Sequence, residues 1–234
     1  MAPEIQSLIE TLETRYGRPR RIPRFDPMEE LVSCILSQHT ADANSFPAFT
    51  RLRETFATWR DVVEAGAPKL VEVIRLAGLA NQKSRSIVAC LEEIHRRNGE
   101  YTLEPLRDMS MGEGRAWLQS LPGVGPKTAS IVLCFSFGMD AIPVDTHVYR
   151  VSARLGLIPE GAGEAKAHDL LLDSVPPGLA FRFHTALIQH GRVVCKAPIP
   201  VCDECPLADR CPWLLSGAAE RRKDELRLKR SKKR

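Results

Sequence analysis

No stretch of this sequence approaches the roughly 18 apolar residues that a membrane-spanning helix needs. Nor does an apolar segment with a small-residue cleavage site stand near its start. These absences argue against membrane and secretory readings and predict a soluble, intracellular protein, cytoplasmic and nucleoid-associated if the source is prokaryotic. No run alternates apolar and polar residues long enough to argue for a strand, and no internal repeat is evident. At 234 residues the chain can bury a sizeable core, so its size does not call for disulfides. A large charge imbalance is also lacking. The net charge is +4, and nine Lys and Arg against three acids lie between Gly217 and Arg234, leaving the body near neutral. That end attracts polyanions and is expected to be a flexible tail.

What is present is helical periodicity between Gly and Pro punctuation. "PEIQSLIETLETRYG" places Ile5, Leu8, Ile9 and Leu12 on one face and stops at Gly17. In "FDPMEELVSCILSQHT", Asp26 caps, Pro27 suits the first helical position and Glu29 completes a capping box. "NQKSRSIVACLEEIHRRNG" repeats the pattern and ends on Asn98-Gly99. Further helices are expected in "GEGRAWLQS", "PKTASIVLCFSFG", "THVYRVSARLG", "AKAHDLLLDSV" and "LAFRFHTALIQHG". The fold class read from these is all-α.

Three of the seven cysteines, Cys34, Cys90 and Cys134, sit singly in apolar helical patterns as small buried hydrophobes. The other four crowd together: Cys195, Cys202, Cys205 and Cys211 are spaced C-x6-C-x2-C-x5-C. Structural zinc usually takes two tight C-x2–4-C pairs. One tight pair flanked by single cysteines suits a 4Fe-4S cluster, in which each thiolate binds its own iron. Zinc or unligated thiols are the alternatives. Lys196, between the first two ligands on a loop stiffened by Pro198 and Pro200, is placed to offer a charge to a phosphate.

In "LQSLPGVGPKTAS" two helices are joined by a tight turn. Gly123 and Gly125 are able to take positive φ and leave the backbone N–H groups around Val124 unshielded, and Pro126 begins the next helix. This is an anion nest at a helix start, suited to a nucleic-acid phosphate, although an ordinary helical hairpin has the same length. Lys127 follows at the second helical position, where the macrodipole disfavours a cation by about 0.3 to 1 kcal/mol. Burial acts in the same direction. A lysine so placed serves as a nucleophilic amine or as a simple phosphate contact. In "AIPVDTHVYRV", Asp145 stands at an N-cap position and, if it faces Lys127, is able to accept its proton.

Taken in order, "LPGVGPKTA", "VDTH", "HGRVVC" and the four-cysteine loop resemble the endonuclease III family of helix-hairpin-helix DNA glycosylase/AP lyases, from about residue 20 to Cys211. The resemblance implies a six-helix barrel at residues 20–138 and an iron-sulfur domain built from 1–19 and 139–216, followed by the basic tail 217–234. It implies that Lys127 attacks C1′ of a damaged pyrimidine nucleotide in double-stranded DNA, with Asp145 as the catalytic aspartate. Leu79 in "LAGLANQK" would be the residue that intercalates where the nucleotide leaves. The chain departs from the family at "SQHTAD", where His39 occupies the place of the glutamine that fills the gap opposite the orphan base. Gln38 is a second candidate for that role, and Asp42 keeps its match. A monomer acting on DNA follows from the resemblance. The rival readings are a mispair-specific or oxidised-guanine glycosylase of the same superfamily, and a DNA-binding iron-sulfur protein without lyase chemistry.

Overall fold

A computed structural model of the chain describes residues 4–231, so residues 1–3 and 232–234, the outermost parts of the expected cluster domain and tail, lie outside the described residues. Among the described residues the structure is helices and loops with no strand, in two compact units, 22–139 and 1–21 with 140–234.

The 22–139 unit contains α2 (Pro27–Ser37), α3 (Asp42–Thr55), α4 (Trp59–Val73), α5 (Ala80–Asn98), α6 (Met111–Gln119) and α7 (Pro126–Ile131). Helix α2 begins where the sequence signals it. The Asp26 side chain accepts from Glu29 N at 2.9 Å, and Glu29 answers to the Asp26 backbone. Its apolar side, Leu31, Val32, Ile35 and Leu36, is fully enclosed and packs on α3, α5 and α7. Each such side chain contributes about 1.5–3 kcal/mol by leaving water. Helix α5 buries Ile87, Cys90, Leu91 and Ile94 and ends at Gly99, whose φ of +75° only glycine adopts freely. The α3 and α4 segments carry Pro47, Gly66 and Pro68 inside their helical runs, which obscures the periodicity, although Thr58 and Asp61 form a full capping box at the start of α4.

"PKTASIVLCFSFG", which reads as one helix, is in fact two. α7 stops at Ile131 and a π-helical segment, Val132–Phe137, continues to Gly138. Val132, Leu133 and Cys134 are buried throughout. The apolar pattern does not change at the junction, so periodicity cannot separate the segments.

The other unit holds α1 (Ile5–Tyr16), α8 (Thr146–Arg154), α9 (Glu164–Ser174), α10 (Ala180–Val193), α11 (Pro212–Leu215) and α12 (Ala218–Ser231). Leu8, Ile9 and Leu12 of α1 join Val148, Val151, Phe183 and Leu187 in one core. Arg182 clamps Glu13 with two hydrogen bonds of 2.7 and 2.6 Å, which hold the Glu13 carboxyl below its ordinary range. Helices α8 and α10 cross so closely that a Cβ on Gly191 would come within 2.9 Å of His147 Cβ. The tail expected to be flexible is helical over Ala218–Ser231. Its charges alternate at helical spacing, pairing Glu220 with Lys223, Arg222 with Glu225 and Asp224 with Arg227.

Candidate nucleic-acid interface and cysteine centre

In the 22–139 unit the turn between α6 and α7 has Gly123 at φ +77°. A Cβ there would lie 2.7 Å from Ser86 Cβ on α5, so this position needs glycine twice over, for its backbone and for the close approach. Gly125 behaves differently from the expectation. It is extended (φ −96°) as the N-cap of α7, because the chain is already turned when it reaches the helix. Its carbonyl receives Ala129 N at 3.0 Å. Val124 does not present itself to a ligand: its side chain is 7% exposed and its N–H bonds to Leu121 O at 3.2 Å. It anchors the turn.

Lys127, at the second position of α7, is exposed. The burial expected of it is therefore absent, and what remains is its place at a helix start. Gln38 is also not free to enter a gap in DNA in this conformation. Its Nε2 donates to Gly123 O at 2.9 Å, with Thr128 Oγ1 at 3.5 Å, which ties the end of α2 to the hairpin. His39 beside it is exposed.

His39 (φ 52°) and Leu79 (φ 47°) are, among the described residues, the two non-glycine residues with positive φ. Such backbone costs about 1–3 kcal/mol and persists where the surroundings enforce it. Leu79 is 55% exposed, as is Leu76 two residues before Gly78. Leu76 escaped the sequence reading because nothing in "RLAGLANQK" distinguishes an exposed leucine from a packed one. Lys83 escaped it too, although the structure buries it to 3% exposure beneath these loops.

In the other unit, Asp145 caps α8, its Oδ1 accepting from His147 N (2.9 Å) and Val148 N (2.7 Å). The capping role is thus filled by one oxygen of a carboxylate that is 9% exposed. The loop after α10 brings Cys195, Cys202, Cys205 and Cys211 around one cavity, closed by Val151, Leu155, Val194 and Trp213. Arg154 Nη1 lies 3.3 Å from Cys195 Sγ, and His190 Nε2 lies 3.6 Å from Cys205 Sγ, with the Tyr16 hydroxyl 3.0 Å from His190 Nδ1. Burial pushes up Cys202 and Cys211, and the neighbouring Cys195 thiol adds to both. Burial raises Cys205 to about 11 and lowers His190 to about 4. A single tetrahedral ion needs sulfurs converging within about 2.3 Å of one point. Among the described residues no three ligating side chains do so. Lys196 is exposed, and its carbonyl accepts from Arg154 at 2.9 Å.

No helix among the described residues is long and apolar enough to cross a membrane. Residues 32–177 match the family model of the HhH-GPD superfamily base excision DNA repair proteins. An Arabidopsis thaliana protein is 35% identical over 189 residues, 77% of this chain, and the chain spans 64% of that relative's length. Endonuclease III of Thermotoga maritima is 32% identical over 209 residues, covering 89% of this chain and 92% of the relative. A solved structure of a trapped endonuclease III–DNA covalent intermediate, the estranged-adenine complex, superposes with a TM-score of 0.79 at 30% identity, over 93% of this chain and 100% of that one. The chain belongs to the HhH-GPD superfamily of base excision DNA repair proteins, within which it is a homologue of endonuclease III.

Proposed function

We propose that this chain is a bifunctional DNA glycosylase/AP lyase of base excision repair that removes oxidised pyrimidines from duplex DNA and cuts the strand 3′ to the abasic site. It acts as a monomer, with residues 20–138 carrying the hairpin and residues 1–19 and 139–216 carrying a 4Fe-4S cluster. The observation that carries the reading is Lys127: an exposed amine at the start of α7, directly behind a turn fixed by Gly123 and braced by Gln38. It is supported by the endonuclease III relative for which a covalent intermediate with DNA has been trapped.

In this reading Nζ of Lys127, as the free amine, forms a bond to C1′ while the C1′–N glycosidic bond breaks, and the base departs with the electron pair and gains a proton. Ring opening gives a Schiff base. Loss of a C2′ proton then expels the 3′ phosphate by β-elimination. As the catalytic aspartate of this reading, Asp145 serves as a base and stabilises the positive charge developing on the sugar through Oδ2, the oxygen that capping leaves over. The hairpin backbone binds a phosphate, Leu79 enters the stack as an apolar wedge and His39 faces the orphan base. Lys196 adds a phosphate contact.

Cys195, Cys202, Cys205 and Cys211 would hold the cluster, which when bound would serve a structural role by cross-linking the loop. Its assignment is tested by metal analysis: four irons per chain in a yellow-brown protein are expected, and stoichiometric zinc would reverse it. Borohydride present during reaction with thymine-glycol duplex should trap a covalent protein–DNA adduct. Absence of the adduct, or equal trapping by Lys127→Ala, sinks the lyase assignment and leaves a DNA-binding iron-sulfur protein.

A further inference from the structure

We infer that Lys83 is a positioning residue for lesion capture: by holding both the His39 loop and the Leu79 loop, it makes the gap-filling residue and the wedge enter the duplex as one piece. The inference rests on the proposed assignment of those two loops to DNA.

Lys83 lies on the first turn of α5, where its N–H bonds to Leu79 O at 3.0 Å. Its side chain then turns back into the protein. Nζ donates to Leu36 O (2.5 Å), to Thr40 Oγ1 (2.7 Å) and to Ala77 O (2.8 Å). Those three acceptors use all three protons of an ammonium. Thr40 completes the joint by donating to Ala77 O as well. One side chain thus links the last turn of α2, the residue after His39, and the residue two before Leu79. No carboxylate takes part. The cation is held by carbonyl and hydroxyl dipoles alone, and burial lowers its pKa from the ordinary lysine range.

The plain structural reading is that Lys83 satisfies open carbonyls, since Leu36 O belongs to the last turn of α2, where a positive charge is favourable. That reading leaves one fact unexplained. The two non-glycine left-handed residues among those described, His39 and Leu79, stand one on each side of this joint. Left-handed backbone at such residues requires enforcement, and a three-way hydrogen bond from a rigid helix supplies it at both loops together. An isolated wedge would open the stack without filling the space it creates. Coupled loops do both in a single motion.

Two variants of the full-length protein test this. Lys83→Met keeps the length of the side chain and removes all three bonds. Thr40→Val keeps its shape and removes the bonds of Thr40 to Lys83 and Ala77, together with its 3.2 Å contact to Gln38 O, leaving Lys83 its two carbonyls. The readout is borohydride trapping at a preformed abasic site, taken as the ratio of duplex to single strand, because only the duplex requires a nucleotide to be extruded. Fluorescence of 2-aminopurine next to the site reports unstacking independently of chemistry. The expected result is a fall in the ratio of about tenfold for Thr40→Val and up to about a hundredfold for Lys83→Met, the scale of a positioning loss. The 2-aminopurine signal should fall in parallel. A ratio within twofold of wild type in a folded variant overturns the inference, even if its melting temperature drops. If Lys83→Met does not fold, Thr40→Val decides alone. If wild-type protein traps neither substrate, the glycosylase/lyase reading fails and this inference with it. If wild type traps both and the variants match it, Lys83 alone is wrong.

Discussion

Residues 36–41 and 77–79 are fastened by the protein's own hydrogen bonds: three from Lys83, one from Thr40 and one from Gln38 to the hairpin. The loop from Cys195 to Cys211 is built differently. Its outer edge is secured by Arg15, which donates to Glu204 O at 2.7 Å, and by Arg210, which reaches Ser7 Oγ at 3.0 Å. Its inner side is four thiols around an apolar cavity; the backbone at Cys195 and Lys196 accepts from Arg150 and Arg154 at 2.9 Å, while the contacts of the sulfurs themselves with Arg154 and His190 lie at 3.3 to 3.6 Å. The first region is complete as a hydrogen-bonded structure. In the second, the four thiols face a cavity that the proposed cluster would fill.

That difference predicts the largest effect for Cys205→Ser. A structural metal centre contributes on the order of 10 kcal/mol of folding free energy in small domains, so this variant should lose iron and become protease-sensitive around residues 195–211. Limited proteolysis with iron analysis reads both. Resistance equal to wild type in an iron-free variant would show that the loop, like the Lys83 region, holds itself.

Next is Gly123→Ala. Its φ of +77° and a Cβ 2.7 Å from Ser86 Cβ predict a loss of roughly 1–3 kcal/mol, seen in denaturant titration. Adding Ser86→Gly should recover only the steric part. Full recovery would mean that the left-handed backbone costs little there, weakening the case that the neighbouring loops are held under strain.

How much of this was readable from residues alone depends on whether a feature is local. The Asp26–Glu29 box, the Asp145 cap and the Gly99 stop are contacts within a few residues, and each carries its own chemistry in the sequence. The four cysteines are readable because thiolate spacing is a chemical signature. Lys83 joins positions 36, 40 and 77, and nothing in "NQKSRS" marks a lysine that folds inward rather than outward. The bond from Gln38 is unreadable for the same reason, since its partner, Gly123, lies 85 positions away. The helix over Ala218–Ser231 was missed because a high net charge reads as disorder, while the i,i+3 pairing that offsets it depends on order within the run rather than composition.

A smaller effect is expected at Glu13, in the unit that carries the cysteine loop. The Arg182 hydrogen bonds lower its folded pKa below the ordinary value of 4.5. Its contribution is therefore fully present above about pH 4.5 and is lost as pH falls through the lower folded value. Glu13→Gln should cost roughly 1–3 kcal/mol at neutral pH, the scale of a hydrogen bond to a charged group. In melts from pH 7 to pH 3 the gap to wild type should close. A gap that stays constant with pH would mean that packing of the side chain, rather than its charge, holds α1 to α10.

The smallest effect is expected at α12, where each unit's own contacts matter least. Its side chains include Arg222, Lys223 and Arg227 already paired with acids, so their fields partly cancel at a distance while the net excess over residues 217–234 remains positive. Ending the chain after Ala219 keeps that residue, which is 5% exposed, in its packing, and removes the charged part alone. Each phosphate neutralised adds about 0.9 to the slope of log affinity against log salt. The truncated protein should bind duplex DNA more weakly at low salt, with a slope shallower by about one or two, and should keep its selectivity for damaged over undamaged duplex, because long-range charge carries no information about the lesion. An unchanged slope would make the helix a bystander. A loss of selectivity would place it with the Lys83 loops among the parts that read the DNA.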